Sequence, residues 1–336
     1  MSLFTPADIL LPASADMTKW SCIACDQFTS EPEYWQEAER IVGTAPSTLR
    51  LMLPEAWLGI RDSAAETRKI YEVMADYVNQ DVFRMVPESY IYVERTLPSG
   101  AVRRGLVGKL DLEGYDWAEG TATPVRATEG TVESRLPARV EVRRGAVLEM
   151  PHIMVFINDA ENTIIPSAAG GEELYDFELM LGGGHIRGSR VTGEAVRALT
   201  ARLDAMEGEI KYAMGDGNHS LAAAKLCWEG VKPKLSARER ETHPARFALV
   251  ELVNIHDEAV TFEPIHRVIT GTRARGFIEE VAATLPRGRG QAVTVLAGQR
   301  ELSFETGLPL GQPGARGDRL VGPGGYGVGG RGGAEF

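Results

Sequence analysis

Residues 210–229 read Ile-Lys-Tyr-Ala-Met-Gly-Asp-Gly-Asn-His-Ser-Leu-Ala-Ala-Ala-Lys-Leu-Cys-Trp-Glu, placing an acid, an amide, an imidazole and a hydroxyl within five positions: Asp216, Asn218, His219 and Ser220. The run from Ile210 to Met214 predicts a strand, Gly215-Asp216-Gly217-Asn218 a tight turn, and the Ala/Leu-rich stretch from His219 a helix. The first amides of such a helix have no intrahelical partner, and the helix dipole adds partial positive charge at that end. The turn therefore suits a phosphate or a carboxylate, with Asp216, Gly217, Asn218, His219 and Ser220 as the contacting residues. Neither the Walker spacing Gly-x-x-x-x-Gly-Lys-Ser/Thr nor the dinucleotide fingerprint Gly-x-Gly-x-x-Gly occurs here. The competing account is purely structural, with Asp216 or Asn218 as a helix cap and Gly217 as a turn glycine.

Other residues can supply what an anion site lacks. Asp26 lies between an apolar run and a helix start, where a carboxylate can cap, hold Mg2+ or take a proton from a substrate hydroxyl. Glu129 is followed by a basic ladder, Arg135, Arg139, Arg143 and Arg144, which reads either as a solvated surface or as an anion-binding edge. His256-Asp257 and Phe262-Glu263-Pro264-Ile265-His266-Arg267 follow an apolar strand. There His266 can act as general acid or base and Arg267 as a phosphate clamp, or Asp257 and Arg267 simply pair. The Gly182-Gly183-Gly184-His185 run reads as a close approach to a ligand or as a hairpin turn. Cys22 and Cys25 have Cys-x-x-Cys spacing, but no second pair exists to complete a zinc site, and buried structural thiols are the preferred reading. No protein-held metal site is assigned.

The elements that must position these groups follow from pattern. Trp20 to Ala24 reads as a buried strand. Ser30-Glu31-Pro32-Glu33 reads as a capping box opening a helix that Gly43 ends. Residues 62–80 and Thr192 to Met206 read as amphipathic helices. Tyr90 to Arg95 and Arg103 to Asp111 form a hairpin around Pro98-Ser99-Gly100. Residues 150–158 and Ala245 to Asn254 are apolar strands, Thr163 to Ile165 a short one, and Phe277 to Leu285 a further helix. Helices alternate with strands and hairpins, so the fold class is mixed α/β, with a mixed sheet and flanking helices.

The 336 residues suit one large domain over 1–306, with a subdivision near 120 as the alternative. Hydrophobic content of 43% and charged content of 25% describe a globular protein. A net charge of -11 disfavours nucleic acid as a partner. No apolar run reaches the roughly 18 residues of a membrane span. The N-terminus lacks the pattern of a signal peptide, and three cysteines do not make a disulfide framework, so a cytoplasmic location is expected. The expected partner is a small-molecule substrate, and a homodimer is left open. The glycine-rich stretch 307–336 lacks periodicity and is expected to be disordered or to derive from a shifted reading frame.

Taken together, several segments resemble the bacterial family called domain of unknown function 1015. They are Lys19-Trp20 through Cys25-Asp26-Gln27-Phe28-Thr29-Ser30-Glu31-Pro32-Glu33-Tyr34-Trp35, Ala45 to Arg50, Gly182 to Gly188, Asp216 to Ser220, and Pro264 to Val268. More distantly, Asp216-Gly217-Asn218-His219-Ser220 is similar to the Asp-Gly-His-[His/Thr]-Arg turn of ParB/sulfiredoxin-like free-serine kinases. That resemblance implies a ParB/sulfiredoxin-like core around 210–229 and a nucleotide, ATP or ADP with Mg2+, facing Asp216, Gly217, Asn218 and His219. Asn218 and Ser220 stand where those kinases carry histidine and arginine, so Lys225, Arg139 or Arg267 must supply the missing charge. The expected activity is a small-molecule kinase, with Asp26, Glu129 and His266 in catalytic roles. A noncatalytic nucleotide or metabolite sensor and a metal-dependent hydrolase using His219, His256, Asp257 and His266 are the alternatives.

Overall fold

A computed structural model of the chain describes residues 2–261, apart from 119, 129, 132, 134, 135, 151 and 152, and then 267–270, 279, 283, 285–297, 300–307 and 327–330. The chain divides into two compact units, Met1–Phe262 and Glu263–Glu335.

The first unit is built on one large mixed sheet. Its strands are β1 (Phe4–Thr5), β2 (Ala7–Pro12), β3 (Phe83–Thr96), β4 (Val102–Asp111), β5 (Tyr115–Asp116), β6 (Val125–Arg126), β7 (Ile153–Ile157), β8 (Glu172–Glu178), β9 (His185–Val191), β10 (Tyr212–Asp216) and β11 (Phe247–Asn254). They run in the order β5-β6-β10-β7-β11-β4-β3-β9-β8, with β1 on β4 and β2 on β3. The β5/β6, β6/β10 and β7/β11 pairs are parallel and the others antiparallel, as the mixture of hairpins and crossovers predicts. The helices are α1 (Met17–Trp20), α2 (Pro32–Val42), α3 (Ser63–Asn79), α4 (Leu136–Arg144), α5 (Glu194–Asp204), α6 (Asn218–Val231) and α7 (Ala237–Thr242). Among the described residues, no helix is long and apolar enough to cross a membrane.

Alternation along β11 defines the two faces. Ala248, Val250 and Leu252 join the main core with Ile153, Val155 and Ile157 of β7 and with Leu199, Leu203, Leu221, Ala224 and Trp228 of α5 and α6. Leu249, Glu251 and Val253 point the other way. Pairing carries that second face across the sheet. Glu251 lies opposite Met154 of β7 and Val107 of β4, Met154 lies opposite Asp216 of β10, and Arg103 lies opposite Arg95. Asp216, Glu251, Arg103 and Arg95 therefore share one face.

Three local expectations fail for identifiable reasons. Trp20 to Ala24 is not a strand. Asp16 accepts hydrogen bonds from the amides of Thr18 and Lys19 and starts the short helix α1, after which residues 21–24 follow without regular structure. The Ser30 cap does not form. Phe28, at φ 50°, stacks on Tyr34 at 4.0 Å, and α2 begins at Pro32 behind Glu31 with no capping side chain. Thr163 to Ile165 is not a strand either, because Asp159 Oδ2 accepts from the amides of Thr163 and Ile164 and leads into a 3-10 turn, Ile165–Ala168.

The second unit contributes β12 (Arg267–Thr270), β13 (Arg287–Ala297), β14 (Arg300–Thr306) and β15 (Gly327–Gly330). β13 pairs with β14 and β12 with β15, both antiparallel. Most of the expected helix Phe277 to Leu285 and of the stretch 307–336 lies outside the described residues.

Candidate functional site

The turn at the end of β10 is built as the sequence suggests. The register of β10 against β7 shifts between Met214 and Asp216, so Gly215 is the extra residue of a bulge, and a side chain there would meet the Phe156 ring. Gly217 is the N-cap of α6 at φ 79°, ψ 27°, a conformation that favours glycine, and it brings no side chain to the helix start. Asp216 Oδ1 accepts the Gly217 amide at 2.6 Å, which turns the carboxylate across the mouth of the helix. Asn218, His219 and Ser220 form the first turn; Asn218 is buried, whereas Asp216, His219 and Ser220 are half-buried. Thr128 ties the preceding segment to this strand by donating to the Met214 carbonyl at 2.7 Å.

Two remote segments converge on the turn. The charges of Asp216, at the end of β10, and of Arg139, on α4, both act on the Cys25 thiol, beside which Asp26 stands in the chain. The Cys25 carbonyl accepts the Glu55 amide at 2.7 Å, and the Glu55 carboxylate pairs with Arg139, so one residue holds the loop and orients the guanidinium. Asp26 Oδ1 is buried without a hydrogen-bond partner among the described residues. Of the predicted site, Asp26, Arg139 and Asp216 thus lie within electrostatic reach of one thiol, that of Cys25. Glu129 and His266 lie outside the described residues, and for Arg267 only the backbone, in β12 of the second unit, is described. Lys225 does not serve as the missing cation, because it donates to the Leu112 carbonyl and pairs with Glu229, both at 2.9 Å.

The other candidates have structural partners. His256 bonds Asn158 at 2.7 Å, and Asp257 accepts the amides of Arg104 and Ala259. His185 pairs with Asp176 and Arg187 with Glu173 in the β8/β9 hairpin, whose turn is the Gly182-Gly183-Gly184 run. Among the described residues no three His, Cys, Asp or Glu side chains gather to hold a metal ion.

Sequence reasoning missed Cys25 as the meeting point and Glu55 as the anchor of Arg139. Burial pushes the Cys25 thiol up from an ordinary 9.0 to about 12; Asp26 and Asp216 add to the rise and Arg139 opposes it. Burial also raises Cys22 and Cys227. Cys25 is therefore a neutral thiol at physiological pH. Its folded value exceeds its unfolded one, so its contribution to stability is complete below pH 9.0 and is lost as pH rises through about 12. We expect iodoacetamide at pH 8 to leave Cys25 unlabelled in the native protein and to label it in urea; rapid native labelling would show an exposed, activated thiol instead.

The sequence model of the family described as protein of unknown function (DUF1015) matches residues 6–311. The chain belongs to the DUF1015 family. Of the DUF1015 match, the described part takes in the whole sheet from β2 to β11 together with the turn at Asp216 and the loop at Asp26. No curated protein and no solved structure matches this DUF1015 chain.

Proposed function

We propose that this DUF1015 protein is a nucleotide-dependent small-molecule kinase that phosphorylates a hydroxyl such as that of free serine. The observation that carries the reading is the convergence of Asp216 and Arg139 on the loop of Asp26, beside a helix that starts at a bare glycine. Phosphoryl transfer asks a protein for positioning and charge neutralisation more than for covalent chemistry. Mg2+ is held by oxygen ligands, commonly one or two carboxylates plus the phosphates themselves. Asp26 and Asp216 fit that pattern, and the buried, unpartnered Asp26 Oδ1 supports a ligand there. Bound metal would neutralise charge on the phosphates.

The protein's own residues divide the remaining work. Asn218, His219 and Ser220 present the first turn of α6 to the phosphates. Arg139, held by Glu55, faces the charge on the transferred group. Asp26 orients the substrate hydroxyl and accepts its proton as the new bond to phosphorus forms. The likeness of Asp216-Gly217-Asn218-His219-Ser220 to the turn of free-serine kinases supports nucleotide as the phosphate donor.

Thermal unfolding with ATP, ADP or CTP and Mg2+ tests the reading. A nucleotide present at a hundredfold excess over its Kd stabilises the fold by about 2.7 kcal/mol. The expected result is an upward shift with at least one of the three and phosphoserine after incubation with ATP and serine. No shift at millimolar nucleotide would overturn the proposal, and binding without product would favour a sensor.

A further inference from the structure

A second charged cluster lies on the same face of the sheet as Asp216, and nothing in the proposed phosphate site uses it. Arg95 and Arg103 stand directly opposite one another on β3 and β4. Arg95 is buried, at 9% exposed, and Arg103 is partly buried, its side chain 11% exposed. The carboxylate of Glu251 is the only one paired with either among the described residues; it meets Arg103 Nη2 at 3.2 Å. Gly105 makes room for it, since a side chain at that position would sit 2.1 Å from Glu251 Oε1.

The cluster is short of one negative charge. Arg95 donates to the Gly183 carbonyl and has no carboxylate within ion-pair distance among the described residues. Arg103 Nε is buried with no hydrogen-bond partner among the described residues. Like charges directly opposite on neighbouring strands repel, and a buried cation without a counter-charge is costly. Burial, and then the neighbouring Arg103, hold Arg95 down at about 10, while Glu251 and the Tyr34 hydroxyl oppose the fall. Neighbouring charged groups do not relieve it: His185, Arg187 and Arg104 lie on the opposite face, paired with Asp176, Glu173 and Asp257. Tyr34, on α2, lies within electrostatic reach of Arg95.

We infer that Arg95 and Arg103 form a binding site for an oxyanion, a carboxylate or phosphate group of a small ligand. Guanidinium groups recognise such anions through paired, charge-assisted hydrogen bonds. The anion supplies the missing charge and partners for the N–H groups that Glu251 and Gly183 leave over. Glu251 limits the affinity, because its own charge already offsets one of the two arginines. Glu251 and Asp216 are two strands apart, about 10 Å at the usual strand spacing. The site stands on β3, β4 and β11 and does not depend on the helix start at Asn218.

Calorimetric titration of the full chain with malonate and with inorganic phosphate, at constant ionic strength set with sodium chloride, tests it. The wild type is expected to bind at least one of the two. Arg95→Gln should weaken that binding at least ~10-fold by removing charge-assisted bonds. Glu251→Gln should tighten it several-fold by removing the competing carboxylate, an effect that a merely structural arginine pair would not produce. Asp216→Asn should leave it unchanged. Absence of anion binding by the wild type, or equal affinity in Arg95→Gln, would overturn the inference, as would loss of binding in Asp216→Asn alone. Should Arg95→Gln fail to fold, Glu251→Gln decides: tighter binding supports the site and unchanged affinity removes it.

Discussion

Replacing Asp26 with asparagine is expected to lower phosphoryl transfer by at least ~100-fold, the usual share of a positioned acid or base, while stabilising the fold by roughly 1 kcal/mol. The two effects have one cause. Asp26 Oδ1 is buried and has no hydrogen-bond partner among the described residues, and the carboxylate adds to the field of Asp216 at the Cys25 thiol. A protein that served only as a scaffold would gain little from an acid here, because a buried oxygen without a hydrogen-bond partner is costly. Retaining the acid makes sense if a cation or a substrate hydroxyl meets it. Phosphoserine formation from ATP and serine gives the first measurement and urea unfolding the second. Wild-type turnover by Asp26→Asn would remove Asp26 from the chemistry; lower stability would show that the carboxylate has a structural partner after all.

Much of the scaffold was legible because its signals are local. Apolar spacing foretold α3, whose N-terminus Asp62 closes by accepting the amides of Ala64 and Ala65. The turn at Pro98-Ser99-Gly100 joins β3 to β4 as expected, and β11 follows the apolar run that predicted it. Failures arose where one side chain overrides pattern, as Asp16 does at α1 and Asp159 does before the 3-10 turn. The strand, turn and helix from Tyr212 to Val231 were readable for the same local reason.

Its partners were not readable in the same way. Asp26, Glu55, Arg139 and Asp216 stand on a loop, a 3-10 turn, a helix and a strand far apart in the chain, and only the tertiary fold relates them. Arg95, Arg103 and Glu251 carry no motif at all. Their juxtaposition follows only from the registers of β3, β4 and β11.

Gly217→Val is expected to cost roughly 3 kcal/mol, the sum of a bulky residue in the left-handed region and an overpacked core. At φ 79° the backbone disfavours a β-branched side chain, and a Cβ here would lie 3.1 Å from Ile153 Cγ1 and 3.2 Å from Ile153 Cα. Ile153 is buried in the centre of the sheet on β7, where it pairs with Val250 of β11, so the strand cannot retreat without disturbing the main core. Relief must come from the turn itself, through rotation of the peptide that Asp216 now fixes through the Gly217 amide. That rotation would swing the first turn of α6 away from its present direction, so nucleotide-dependent stabilisation should vanish together with the lost stability. Gly230 in the same helix separates the site effect from a general cost of replacing glycine. A side chain there meets nothing within 4 Å, so Gly230→Ala should stabilise by up to about 1 kcal/mol and keep the nucleotide response. Urea unfolding of the two variants, each with and without Mg2+ and ATP, measures all four quantities. A Gly217→Val protein that still gained stability from nucleotide would show that the helix start is not where the phosphates bind.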